Sequence, residues 1–191
     1  MVLLANVEVC AQTAPTVTLT AVCTAPCNQT ATVTLTATAT AASGRTVSKV
    51  EFYDGANLLI ADTTNPYSST RTGITGGSHS FTAKAYDNGT PQLSTVSTAR
   101  VVAVNAPPTV SLTAACNASP CVAGSTVSLS ASPADPDGVI AKVEFYQGMT
   151  LLTTRTAAPW STTTAALVAG SYNFTAKAFD NGTTALSTTS R

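Results

Sequence analysis

Cysteine is the residue with the most chemical capacity in this 191-residue chain, and its five copies are placed in a pattern. Cys23 and Cys27 stand either side of three residues, and Cys116 and Cys121 either side of four, each pair following a Thr/Ala-rich alternating run. The matched placing predicts one disulfide per copy, closing the turn between two strands. So small a loop gains about 2 kcal/mol on the chain-entropy account, so it pins a turn and cannot replace a core. The competing chemistry is a four-thiolate zinc site, which would need equivalent turns of two separate domains to converge. Cys10 has no counterpart. It reads either as a free, partly buried thiol or as a thiol that meets Cys116 and Cys121 of another subunit.

The remaining candidates carry less. His79 is the sole histidine, so no Ser-His-Asp arrangement can be assembled, and it is expected to be a solvated strand residue. Asp135-Pro136-Asp137-Gly138 could offer carboxylates to calcium, but the matching stretch Ala41-Ala42-Ser43-Gly44 has none, and a turn is the expectation. Glu51 with Lys84, and Glu144 with Lys177, are expected as cross-strand ion pairs on an outer face. Tyr67 and Trp160 occupy equivalent positions, where they fill a core edge or, if their rings lie open, stack on surface glycans. The chain is therefore read as a non-enzyme with no cofactor and no metal.

These residues sit in a repeated frame. Lys49-Val50-Glu51-Phe52-Tyr53 recurs as Lys142-Val143-Glu144-Phe145-Tyr146, and Phe81–Thr90 recurs as Phe174–Thr183 with only Tyr86 changed, to Phe179. Residues 14–106 form one complete unit and 107–191 a second, with 1–13 left in front. Within a unit, Val17, Leu19 and Ala21 alternate with threonines, as do Val33, Leu35 and Ala37, which marks half-buried antiparallel strands. Asp54-Gly55 supplies a tight hairpin, Pro66-Tyr67 opens an edge strand, and Leu93–Val104 is the last of seven strands. No window shows helical spacing, so the chain is all-β: two tandem immunoglobulin-like sandwiches.

Pro-Thr-Val-Ser-Leu-Thr at 108–113, Gly124-Ser-Thr-Val-Ser-Leu, Lys-Val-Glu-Phe-Tyr, Ala158-Pro159-Trp160 and Phe174–Gly182 together resemble the bacterial Ig-like domains. The resemblance implies secreted proteins with tandem sandwiches, serving as adhesin stalks, spacers of polysaccharide-degrading enzymes or phage decorations. It implies no active-site residues.

Composition narrows the partners. Formal net charge is zero and charged residues make up 9%, without a basic cluster, so nucleic acid is not expected as a partner. No apolar run is long enough to span a bilayer, so no membrane insertion is expected. Met1–Val9 has no Lys or Arg ahead of its apolar part and does not read as a signal peptide. Disulfides place the chain outside the cell or at its surface.

The phase of the repeat suggests how copies meet. Leu93–Arg100 runs on as Val101-Val102-Ala103-Val104, whereas Leu186–Arg191 has no such continuation. A similar run, with Val2, Leu3, Leu4, Val7 and Val9, lies at the other end. The second sandwich is thus expected to lack its final strand segment and to take a donor strand from the leader of another copy. That would give a homopolymeric extracellular filament assembled head to tail. The alternative is a segment of a longer array, a stalk or spacer of an adhesin or secreted carbohydrate-active enzyme, with the same strand supplied covalently. A carbohydrate-binding module is the third reading.

Overall fold

The computed structural model describes residues 12–190. The leader, including Val2, Leu3, Leu4, Val7, Val9 and Cys10, lies outside the described residues. Fifteen strands and no helix are present among those described, so the chain is all-β and forms two β-sandwiches.

The first sandwich uses β1 (Thr16–Cys23), β2 (Thr32–Thr40), β3 (Val47–Asp54), β4 (Asn57–Asp62), β5 (Tyr67–Thr72), β6 (Gly77–Asp87), β7 (Ser94–Val96) and β8 (Arg100–Val104). One sheet has the order β1-β2-β5, and the other β4-β3-β6-β7 with β8 also paired to β6. Alternation dictates the layering, since side chains two apart share a face. Leu19, Val33, Leu35 and Ala37 from one sheet and Val50, Phe52, Phe81, Ala83 and Ala85 from the other are buried, while the intervening threonines of β1 and β2 are mostly exposed. β3 and β4 meet through Gly55 at φ 56°, a backbone angle that glycine adopts without a Cβ clash. The stretch read as one last strand is in fact two. β7 ends at Val96, three residues intervene, and β8 resumes on β6.

The second sandwich uses β9 (Thr109–Cys116), β10 (Val127–Ala134), β11 (Ile140–Gln147), β12 (Thr150–Arg155), β13 (Ser161–Thr163), β14 (Phe174–Asp180) and β15 (Ser187–Thr189). Its sheets run β13-β10-β9 and β12-β11-β14-β15. Val127, Leu129, Ala131, Val143, Phe145, Ala176 and Ala178 form its core, with Trp160 and Phe174 half-buried against it. By packing, Thr24–Ala31 and Thr72–Ser78 group with Ala103 onward as one unit, and β1, Thr32–Arg71 and His79–Val102 form the other.

Phe52 and Phe145 are each fully buried at matching positions. Phe52→Ala and Phe145→Ala should each cost about 3–5 kcal/mol. Urea unfolding of each variant should show the loss in the transition of the sandwich that carries the change.

Candidate functional site

Each sandwich holds a buried carboxylate that sequence patterning does not reveal. Asp87 and Asp180 end β6 and β14 with 0% and 1% exposure. A buried charge needs partners. Asp87 Oδ1 accepts from the backbone N–H groups of Gly89 and Leu93, at 3.0 and 2.9 Å, and Asp180 Oδ1 accepts from those of Gly182 and Leu186, at 3.1 and 2.9 Å. Each carboxylate thereby shapes the loop that returns the chain as the next strand.

The second oxygens are satisfied differently. Asp87 Oδ2 is 2.6 Å from Arg45 Nη1, whereas Gly138 stands at the Arg45 position of the second repeat at the common offset of 93, one residue on from its match to Gly44 above. There Asn105 donates its side-chain N–H to Asp180 Oδ2 at 2.8 Å, and the neighbouring Ala106 N–H donates to the Asp137 carboxylate. A side chain on the neighbouring glycine would displace each of these donors. A Cβ on Gly89 would lie 1.9 Å from Arg45 Nη1, and one on Gly182 2.5 Å from Asn105 Nδ2. The backbone hydrogen bond from Leu93, opposed by burial, then reinforced by Arg45 and Gly89, holds the Asp87 pKa below the ordinary carboxylate value.

Glu51 is also buried, at 8% exposure, which corrects the expectation of an exposed pair with Lys84. Glu51 and Lys84 are opposite in register. Even so, the ion pair is made by Lys49, two residues along the same strand, at 2.6 Å. Tyr53 and Tyr86 donate their hydroxyls to Glu51 Oε2 at 2.6 and 2.8 Å, and Lys84 lies over the Tyr86 ring. Burial alone would raise the Glu51 pKa; the hydrogen bonds from Lys49, Tyr53 and Tyr86 outweigh it and bring the value to about 2. The second repeat has the same cluster with one donor fewer. Glu144 keeps Lys142 and Tyr146, while Lys177 lies over Phe179, which has no hydroxyl.

Other expected positions fall as follows. His79 is not a solvated strand residue: its Nδ1 is 2.6 Å from Asp54 Oδ2 and its ring stacks on Phe81, because its strand position points it back over the β3–β4 hairpin. Tyr67 is buried and Trp160 half-buried, both at core edges. Asp135–Gly138 is a turn in which Asp135 Oδ1 accepts from the Asp137 N–H. Asp135 Oδ2 is the one buried side-chain oxygen without a hydrogen-bond partner among the described residues. Cys116 is bonded to Cys121 with Cα atoms 5.8 Å apart, and Cys23 and Cys27 are both disulfide-bonded.

The sandwiches differ most at their last strand position. Ser97 donates its N–H to Ala83 O, and Ala83 donates back to Ser97 Oγ; Ser190 and Ala176 repeat the pair. Beyond Ser97 the first sandwich adds β8, whose Val102 and Val104 are buried. No strand of the second sandwich corresponds to β8 among the described residues. β6 accordingly spans 11 residues and β14 only 7, the four counterparts of Gly77–Ser80 having no strand pairing. A cleft of about 450 Å³ opens there, lined by Ala114, Val127, Leu167, Val168, Tyr172 and Phe174, with the Cys116–Cys121 turn at its rim. Leu112 and Phe174 are half-buried where Leu19 and Phe81 are fully buried. This cleft is the candidate functional site.

A family model described as "Bacterial Ig domain" matches residues 15–83 and 108–176. Among curated proteins none matches. Among solved structures, the fibronectin(III)-like modules of Clostridium thermocellum CbhA are 27% identical over 90% of this chain and 92% of theirs, with a TM-score of 0.38. The three N-terminal domains of the bacteriophage RB49 highly immunogenic outer capsid protein (Hoc) are 14% identical over 93% of this chain and 58% of that one, with a TM-score of 0.35.

Two outcomes are expected. Asn105→Ala should leave Asp180 Oδ2 without its donor and cost about 1–3 kcal/mol in the transition of the second unit, measured by urea unfolding. Glu51 has a depressed folded pKa, so its contribution is complete above the unfolded value near 4.5 and is lost as pH falls through about 2. Tyr86→Phe, which copies the second repeat, should raise the Glu51 pKa and move that loss to higher pH, as read from urea midpoints across the acid range.

Proposed function

The chain belongs to the bacterial Ig domain family, and from that footing we propose that it works as a structural spacer. In this reading it is a tandem pair of sandwiches in a longer array, forming a stalk or accessory region of a secreted or surface bacterial protein. The carrying observation is that the main charged and thiol groups among the described residues serve the fold. Glu51, Asp87, Asp180 and His79 are each engaged by neighbouring side chains or backbone, and the disulfides pin turns. The engagement of these groups supports a role without a reaction of its own, in which the partners are other domains. The disulfides further support an oxidising location. In such an array the leader closes a preceding sandwich, and the open strand position of the second sandwich is filled by covalent continuation.

The cleft supports a second reading, in which separate copies complete one another head to tail as an extracellular filament. An unpaired backbone flank beside half-covered apolar side chains is a template for an added strand.

The spacer reading is tested by exchange. Replacing residues 14–191 in the parent polypeptide with an unrelated sandwich pair of equal length should leave the activity of the flanking domains unchanged. Loss of that activity with length preserved, or saturable binding of a soluble polysaccharide by the isolated pair, would overturn it.

A further inference from the structure

We propose that the turn between β10 and β11 binds a hard divalent cation of calcium's class, ligated by Asp135 and Asn181, with Asp137 and Asp180 supplying negative charge around it. The site belongs to the second sandwich alone and does not depend on how copies or domains are joined.

The two repeats supply the comparison. At the common offset of 93, Asp135, Pro136, Asp137 and Gly138 stand where the first repeat has Ala42, Ser43, Gly44 and Arg45, and Asn181 stands where it has Asn88. In the first repeat the buried Asp87 is met by a covalently attached cation, since Arg45 Nη1 lies 2.6 Å from Asp87 Oδ2. In the second that arginine is glycine, and two further carboxylates stand in the same turn. One positive and one negative charge, Arg45 and Asp87, thus correspond to three negative charges, Asp135, Asp137 and Asp180. No ion pair among the described residues includes any of these three. Asn105 and the Ala106 N–H give Asp180 and Asp137 hydrogen bonds from neutral donors, which solvate a carboxylate but leave the surplus of like charge in place.

Two oxygens of this turn face one point. Asp135 Oδ1 accepts from the Asp137 N–H at 3.3 Å, while Asp135 Oδ2 is buried and has no hydrogen-bond partner. A Cβ built on Gly138 would stand 2.8 Å from Asp135 Oδ2 and 3.1 Å from Asn181 Oδ1. The Asn181 oxygen is oriented by the Val139 N–H, at 3.4 Å, as Asn88 Oδ1 is by the Thr46 N–H at 3.0 Å, and in both repeats the asparagine N–H donates back to the same residue's carbonyl. An amide oxygen has a second lone pair to offer beyond that bond. A carboxylate oxygen and an amide oxygen are both acceptors and cannot satisfy one another; a cation between them satisfies both, and it answers the surplus of negative charge as well. Glycine keeps the point clear of a side chain. Carboxylate and amide oxygens are the donors that calcium takes, and water completes its shell of about six to eight oxygens, since Pro136, Asp137 and Gly138 are exposed. Magnesium holds its own water more firmly and needs a stricter octahedron, so it fits less well. So few protein ligands place the affinity in the range of extracellular modules, about 10⁻⁴–10⁻³ M.

The test uses the intact chain. Calcium binding is measured by titration calorimetry, and urea unfolding is followed at rising calcium chloride, with magnesium chloride and sodium chloride at matched ionic strength. Expected is a midpoint for the second unit that climbs with the logarithm of calcium concentration, a weaker response to magnesium, and no movement of the first unit's transition. Asp135→Ala, which copies Ala42, should weaken calcium binding about tenfold or more. Asp135→Ala combined with Gly138→Arg, which copies Arg45 and gives its stem room, should lose the calcium response altogether. A response to calcium no larger than that to magnesium or to sodium would overturn the proposal, as would an undiminished response in folded Asp135→Ala. If neither variant folds, amide chemical shifts of the unaltered chain decide: changes on calcium addition confined to residues 135–139 and Asn181 support the site, and their absence overturns it.

Discussion

A sheet edge that borders a buried apolar face has to be closed, and the two sandwiches of this protein differ in how that constraint is met. At the serine bridging Ala83 or Ala176 the two make the same pair of hydrogen bonds. From that serine onward, β8 covers one core, and among the described residues no strand covers the other, where Phe174 and Leu112 are half-buried. The consequence is visible along the neighbouring strand, since β14 is four residues shorter than β6 although the sequences of the two are nearly alike. Strand length here is a property of the partner, because an extended segment without a ladder has no bonds to hold it extended.

The buried carboxylates show how a repeat can diverge without losing its fold. Asp87 and Asp180 must each satisfy two oxygens in a dry place, and one oxygen in each is met by the loop that it shapes. The other calls on whatever donor is near. With glycine at the Gly138 position there is no arginine to serve Asp180 Oδ2, and a buried carboxylate oxygen without a donor is costly. Asn105 meets the need from the connecting segment. The donor that Arg45 supplies in one repeat is thus supplied in the other by Asn105 of the connecting segment.

Much of this was legible in the residues. The alternation of Val17, Leu19, Val33 and Leu35 with threonines reads as strands, since period two has one physical meaning when one face is covered. The Asp54-Gly55 hairpin and the recurrence of Lys-Val-Glu-Phe-Tyr are equally direct. Polar groups were the harder part. Glu51 and Lys84 do lie opposite one another, yet the ion pair belongs to Lys49, because two tyrosine hydroxyls turn the carboxylate along its own strand. His79 looks like any polar strand residue until the hairpin brings Asp54 to it. Asp87 sits in a run, Asp-Asn-Gly, that reads as an ordinary turn; the clue to its burial was the retention of Asp, Gly and Leu at fixed spacing in both copies.

The sequence by itself determined the fold class, the two copies, the cysteine pairs and the mismatch between repeat and leader, because each is written in local spacing. The tertiary structure decided which polar groups are buried, which donors satisfy them, and that a cleft lies beside β14 in the second sandwich. Those depend on residues tens of positions apart being brought together, such as Asn105 with Asp180 or Ser190 with Ala176. No periodicity along the chain encodes that proximity. It arises only when two sheets close on a common core and the cost of leaving a buried polar group or an apolar face uncovered selects one arrangement.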